Sequence, residues 1–100
     1  MGPVRFLPDI ATDLDAAVLW YDRQQPGLGD SFLSAFSAIV RQIAEFGHVI
    51  RRIGDYRHLK VSGFPYLVFY REDSGGFTVV LVIDATRDPA LIRSLLGERR

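Results

Sequence analysis

One hundred residues, 48% of them hydrophobic, with 12 Lys+Arg set against 12 Asp+Glu, describe a single domain over residues 1–100 with apolar material for a core and no room for a second. No cysteine is present, which excludes disulfide frameworks, cysteine metal sites, iron–sulfur clusters and thiol nucleophiles, and suits a reducing, cytoplasmic setting. The longest apolar run without proline, Ala16 to Tyr21, is far short of the roughly 18 residues that span a bilayer; the N-terminus lacks a secretion signal, and Phe6 stands where a myristoylation site needs Ser or Thr, so neither membrane nor export is expected.

The zero net charge hides an asymmetry. From Asp9 to Asp30, Asp9, Asp13, Asp15, Asp22 and Asp30 face only Arg23, whereas from Arg51 to Arg71, Arg51, Arg52, Arg57, Lys60 and Arg71 face only Asp55. Lys60 is the one lysine; the other bases are arginine, which suits bidentate contacts to carboxylate or phosphate and is equally the product of a GC-rich coding bias.

In chain order, Val4-Arg5-Phe6-Leu7 alternates as a short strand that stops at Pro8. Asp9 is placed to cap a helix on which Ile10, Leu14, Ala17, Val18 and Tyr21 form one apolar stripe. Gln25-Pro26-Gly27-Leu28-Gly29 breaks the pattern, and Gly29 or Asp30 caps a second helix with the stripe Phe32, Leu33, Phe36, Ile39, Val40, Ile43 and Phe46, ending at Gly47 as a C′ residue. The two helices are expected to form an antiparallel hairpin. The period then changes from 3.6 to 2. Tyr56 to Val61 reads as a strand with Leu59 and Val61 on one face and His58 and Lys60 on the other; Tyr66 to Arg71 follows the turn at Ser62-Gly63. Asp73-Ser74-Gly75-Gly76 makes a hairpin turn, and Phe77 to Ile83 is apolar enough for the sheet centre. Asp88-Pro89 opens a short last helix. The expected fold is α+β, in the order β-α-α-β-β-β(-α), with the helical hairpin on one face of a mainly antiparallel sheet. The other face is left partly open, carrying His58 and Lys60 and rimmed by Arg57, Arg71 and Arg87, a surface suited to anions.

Ala17-Val18-Leu19-Trp20-Tyr21, Gln25-Pro26-Gly27-Leu28-Gly29, Phe32-Leu33, Arg57, Phe64-Pro65-Tyr66, Tyr70 and Arg87-Asp88-Pro89 occur in the order and spacing of one family. The chain resembles the RelE/ParE toxin superfamily of type II toxin–antitoxin (plasmid stabilisation) modules, over about Asp9 to Pro89. The resemblance implies the same fold and two alternative activities. RelE-like members cut ribosome-bound mRNA by driving a 2′-hydroxyl onto the adjacent phosphate, chemistry that needs a base, cations around the phosphate and an acid for the leaving oxygen. For that branch the matching residues are Arg57, Lys60 and Arg87, with His58 as a substitute acid or base. Leu67 stands where the third strand needs an arginine, and Ala90 to Arg100 holds neither Tyr nor His, with Arg93 near the place of the expected tyrosine. With two members of the set absent, the ParE-like branch fits better, a binding inhibitor of DNA gyrase rather than an enzyme, as do the Pro-Gly-Leu-Gly turn and the Phe-Pro-Tyr strand entry. The resemblance implies neutralisation by a cognate antitoxin, operator DNA bound only through that antitoxin, and no cofactor or metal. Target contacts are assigned to Arg57, Lys60, Arg71 and Arg87. A non-toxic, antitoxin-binding relic is the third alternative.

Simpler readings compete at several positions. Trp20 and Tyr21 are assigned to core or hairpin packing rather than to base stacking, and Asp13, Asp15 and Asp22 to the helix dipole and solubility rather than to a metal. His48 reads as a loop residue, and Phe64-Pro65-Tyr66 as a bend entering a strand. Arg57, Lys60 and Arg71 also fit a solvated strand face, and Arg87 a pair with Asp84 or Asp88. Asp84 stands where many members of the superfamily carry histidine.

Overall fold

A computed structural model describes residues 2–99. Val4–Phe6 forms β1, and Pro8, which has no amide proton to continue a strand ladder, turns the chain into α1, Asp9–Gln24. Pro8 itself takes the cap position at φ −55° without a side-chain cap bond, so Asp9 does not cap but is the first helical residue. There its charge still meets the positive end of the helix dipole. Ile10 and Ala17 are buried, with Leu14, Val18 and Tyr21 packed beside them, as the stripe predicted.

The second helix, α2 (Leu28–Phe46), starts earlier than expected, with Gly27 at φ 90° in the cap position. Neither Gly29 nor Asp30 caps it. The capping oxygen comes from α1: the Gly29 N–H donates to Asp22 Oδ1 at 2.8 Å. A Cβ on Gly29 would stand 2.7 Å from Val18 Cγ1, so glycine is what lets the helices close on this bond. Phe32, Phe36, Ile39 and Ile43 are buried, whereas Leu33 and Phe46 lie at the exposed margin of the stripe. Phe32 meets Phe64 and Tyr66 edge-on, with centroids at 5.2 and 5.0 Å, and lies 5.5 Å from Tyr21, so the helical hairpin locks onto the Phe64-Pro65-Tyr66 strand entry through rings.

Gly47 is not the left-handed C′ residue predicted. Its φ is −56°, and the chain continues into a 3-10 turn, Gly47–Val49. The need for glycine is spatial, since a Cβ would stand 2.8 Å from Phe77 Cζ. The Gly47 carbonyl accepts from the hydroxyl of the fully buried Tyr70 at 2.8 Å, which ties the end of α2 to the sheet.

The remaining strands are β2 (Arg57–Lys60), β3 (Tyr66–Asp73) and β4 (Gly76–Asp84), followed by α3 (Pro89–Glu98), which Asp88 caps by accepting from the Ala90 N–H at 2.8 Å. The sheet order is β1-β4-β3-β2, with β1 parallel to β4 and the other pairs antiparallel. The α+β architecture and its order are therefore as read from the sequence.

One irregularity changes what the sheet presents. The register steps from Phe69↔Leu81 to Tyr70↔Val79, leaving Val80 as the extra residue of a β-bulge. Val79 and Val82 consequently join the core under the helical hairpin, while the neighbours Val80 and Leu81 both join a second cluster with Phe69 and Ile83. Ile92, Leu95 and Leu96 of α3 cover that cluster, so the face expected to be partly open is closed along its middle.

Burial pushes the Tyr70 hydroxyl up to about 12, against a smaller lowering by the Arg57 guanidinium. The unfolded chain loses this proton near its ordinary value of about 10, so stability falls as pH rises from about 10 to 12, by at most about 3 kcal/mol. Tyr70→Phe is expected to remove that alkaline loss and to cost about 1–2 kcal/mol at neutral pH, because the Gly47 carbonyl loses its donor. Denaturant unfolding of both proteins at pH 7 and pH 11 measures both effects.

Candidate functional site

The cations expected on one sheet face are dispersed. Arg57 opens β2 on the helical-hairpin face, opposite Tyr70, and not on the outer rim. Its Nε donates to the Ile50 carbonyl at 2.8 Å and its Nη1 to Glu72 Oε1 at 2.6 Å. With 15% of its side chain exposed, it pins the connection between α2 and β2 onto the sheet. Lys60 is exposed at the end of β2, and its side chain has neither a hydrogen bond nor an ion pair among the described residues. Arg71 meets Asp73 Oδ2 at 3.5 Å. Arg87 follows β4 at the end of the sheet that also carries Lys60, away from Arg71; it is exposed, and its side chain pairs with neither Asp84 nor Asp88.

Two clefts flank the sheet. The first, about 560 Å³, lies on the outer face between the Ile53–Tyr56 turn and α3. His58 lines it, its ring 5.0 Å from Phe69, and Arg93 and Asp55 border it. The Tyr56 hydroxyl is occupied, donating to the Leu96 carbonyl at 3.1 Å. Apolar atoms dominate the walls.

The second cleft, about 440 Å³, runs between α1 and the last turn of β4, lined by Ala16, Ala17, Trp20, Tyr66, Asp84 and Arg87 among others. Trp20 is 56% exposed here, which corrects the expectation of core or hairpin packing; Tyr21 alone takes that role. The Asp84 carboxylate accepts from the Thr86 hydroxyl at 2.7 Å and the Thr86 N–H at 2.8 Å. These bonds, with the nearby Arg87, hold it below the usual carboxylate range. Burial, reinforced by Asp84, raises the Tyr66 hydroxyl.

The closed end of this cleft is a pair that sequence reasoning missed. Asp13 and Arg99, 86 residues apart, form a bidentate contact: Nη1 to Oδ2 at 2.6 Å and Nη2 to Oδ1 at 2.9 Å. The same Asp13 Oδ2 accepts from the Val82 N–H at 3.0 Å, and Arg99 Nη1 donates to the Val80 carbonyl at 3.3 Å. Asp13 is thus a structural acceptor rather than a solubilising charge. No local pattern marks such a contact, because both residues have the spacing of ordinary helix-surface charges.

Chemically, Arg57 and Arg71 border adjoining hollows that share Arg52, Asp55 and Glu72, Arg87 borders the second cleft, and Leu67, in the place of the missing third-strand arginine, packs into the outer apolar cluster. The arrangement offers separated cations and apolar clefts, features of a binding surface rather than a concentrated phosphate site.

The family model described as "ParE toxin of type II toxin-antitoxin system, parDE" matches residues 4–89, and the chain belongs to this family. Among solved structures it resembles a chain of the chromosomal ParDE toxin–antitoxin system from P. aeruginosa, with a TM-score of 0.74 at 15% identity, covering 84% of this chain and 96% of that one. That likeness is one of fold. No curated protein matches the chain in sequence.

Two stability predictions follow from the placement of the charges. Arg57→Ala should cost about 1–3 kcal/mol through loss of its two bonds, whereas Lys60→Ala and Arg87→Ala should stay within about 0.5 kcal/mol of the parent in chemical denaturation. Asp13→Ala and Arg99→Ala should each cost about 3 kcal/mol, and the double variant clearly less than their sum; additivity in that cycle would show that the pair is not coupled.

Proposed function

We propose that this chain is a toxin that inhibits DNA gyrase by direct binding inside the cell and is held inactive by a cognate antitoxin. The family membership supports a toxin–antitoxin role. The observation that carries the choice of a binding inhibitor over a nuclease is the position of Arg57. On the helical-hairpin face and bonded to Ile50 and Glu72, it is turned away from His58 and cannot hold the same phosphate. In-line attack by a 2′-hydroxyl needs its cations and its acid–base pair convergent on one phosphorus. Lys60 and Arg87, exposed and without an ion pair among the described residues, are the target contacts in this reading, with Arg71 as a secondary one. Arg57 holds the basic Arg51-Arg52 connection in place.

His58 and Arg93 lining one cleft is the observation on the side of an mRNA endoribonuclease. Controlled expression in a sensitive bacterium separates the readings. Growth arrest with stalled replication and gyrase-dependent DNA breaks is expected, and Lys60→Ala combined with Arg87→Ala should weaken the arrest at unchanged soluble yield. Immediate translation arrest with cleaved mRNA, abolished by His58→Ala, would overturn the proposal. Normal growth at confirmed soluble expression would leave an antitoxin-binding protein without toxicity.

A further inference from the structure

The row of the sheet occupied by β1 is only half filled. β1 pairs with β4 over Phe77, Thr78 and Val79, and Pro8 then takes the chain away into α1. Beyond Val79 no strand covers that edge of β4 among the described residues. On the other edge the Ala85 N–H donates to the Pro65 carbonyl, in register with the Leu67↔Ile83 and Phe69↔Leu81 pairs. Residues 81, 83 and 85 therefore turn their main-chain groups to β3, and residues 82 and 84 turn theirs to the other edge. There the Asp84 carbonyl accepts from the Arg87 N–H at 3.2 Å, and among the described residues the Val82 carbonyl and the Asp84 N–H are left for a partner. The Val82 N–H bond to Asp13 agrees with this direction.

The two groups of this edge nearest β1 are satisfied by side chains standing in for a strand, Asp13 on the Val82 N–H and Arg99 on the Val80 carbonyl. Past that clasp the edge opens into the second cleft. Ala16 and Ala17 make its α1 wall shallow, so a backbone has room beside β4. Val82 to Asp84 spans about three residues at 3.3 Å each. Trp20 stands exposed at the lip, and Arg87, without an ion pair among the described residues, at the open end.

We propose that this cleft takes an extended segment of the antitoxin as an added strand along the Val82–Asp84 edge of β4, continuing the row that β1 leaves at Pro8. The inference rests on the reading of the chain as an antitoxin-controlled toxin. Main-chain groups aimed into the cleft select an extended peptide over a helix, whose own main-chain groups are already bonded. The cation at the open end selects a segment carrying an acidic side chain, and the Ala16–Trp20 wall an apolar neighbour. Such a segment would cover Arg87, one of the proposed target contacts, so occupancy and neutralisation would be a single event.

The test titrates the full-length antitoxin onto the intact chain. In the complex the Asp84 amide should exchange with solvent at least about tenfold more slowly than in the free chain. Ala16→Trp, which fills the cleft from an exposed position, should weaken binding at least about tenfold with an unchanged melting temperature, whereas Ser34→Trp on the exposed side of α2 should not. Arg87→Glu should weaken it as well. A complex in which Asp84 exchanges as fast as in the free chain, or one that Ala16→Trp leaves at full strength, would overturn the strand site while leaving the toxin reading intact. An antitoxin that fails to bind the unaltered chain would overturn both.

Discussion

The fold depends on covering β4. Seven consecutive residues, Phe77 to Ile83, are buried, so apolar surface must be removed from water on both faces of one strand and main-chain groups satisfied along both of its edges. Each other element answers one part of that demand. β3 covers one edge throughout, β1 covers three residues of the other, the α1–α2 hairpin covers one face and α3 the second. The Val80 bulge makes the division workable by turning two successive residues to the same side, which gives α3 a contiguous apolar seat. A regular strand would have sent one of the two into the hairpin core, where Phe32, Tyr70 and Phe77 already fill the space.

Coverage fails at one place, the β4 edge beyond Val79, and there charge does the work of a strand. Asp13 and Arg99 are both largely buried, so desolvation opposes their pairing. The two main-chain contacts they make as well offset that cost, and Asp13 and its neighbour Asp9 raise the Arg99 pKa above its already high ordinary value. The same contact anchors the end of α3 to α1 across the sheet. Much of the charge asymmetry visible in the sequence is consumed in this manner. Asp22 caps α2, Arg57 is bonded to Glu72, and Asp73 meets Arg5 and Arg71. Bases left without an ion pair among the described residues include Arg51 and Arg52 on the connection into β2, Lys60 at its end, Arg87 after β4 and Arg93 on α3.

Those facts explain what was legible from the chain alone. Element order, the helical hairpin, the hairpin turn at Ser74-Gly75 and the Asp88 cap were readable because each is encoded within a few residues, by period, turn chemistry or capping. The role of Gly47 was misread because a glycine demanded by a ring 30 residues away, Phe77, looks the same as one demanded by a left-handed turn. The closed outer face was missed because alternation alone carries no trace of the bulge, and the clasp because its partners are 86 residues apart. Arg57 shows the limit for site prediction. Its family-like position was recognisable, but its side of the sheet followed from register and its partners from the fold of residues 50–56, neither of which is written locally.

A catalytic site and a binding surface make different demands on charge, and that difference bears on how this chain acts. Catalysis gains from cations only when they converge within hydrogen-bonding distance of one developing charge, because their effect lies in preorganisation at that point. Protein recognition draws on charges spread around apolar contact area, where they steer encounter and reject wrong partners. Lys60 at the end of β2 and Arg87 just after β4 lie at the same end of the sheet with β3 between their strands, Arg87 lining the cleft beside α1, a spread that suits a macromolecular surface. The apolar lining of the outer cleft and the exposed Trp20 point the same way, since each offers an anchor for a partner's side chain, and the one imidazole in that cleft, His58, has no cation of β2 turned toward the same face except Lys60.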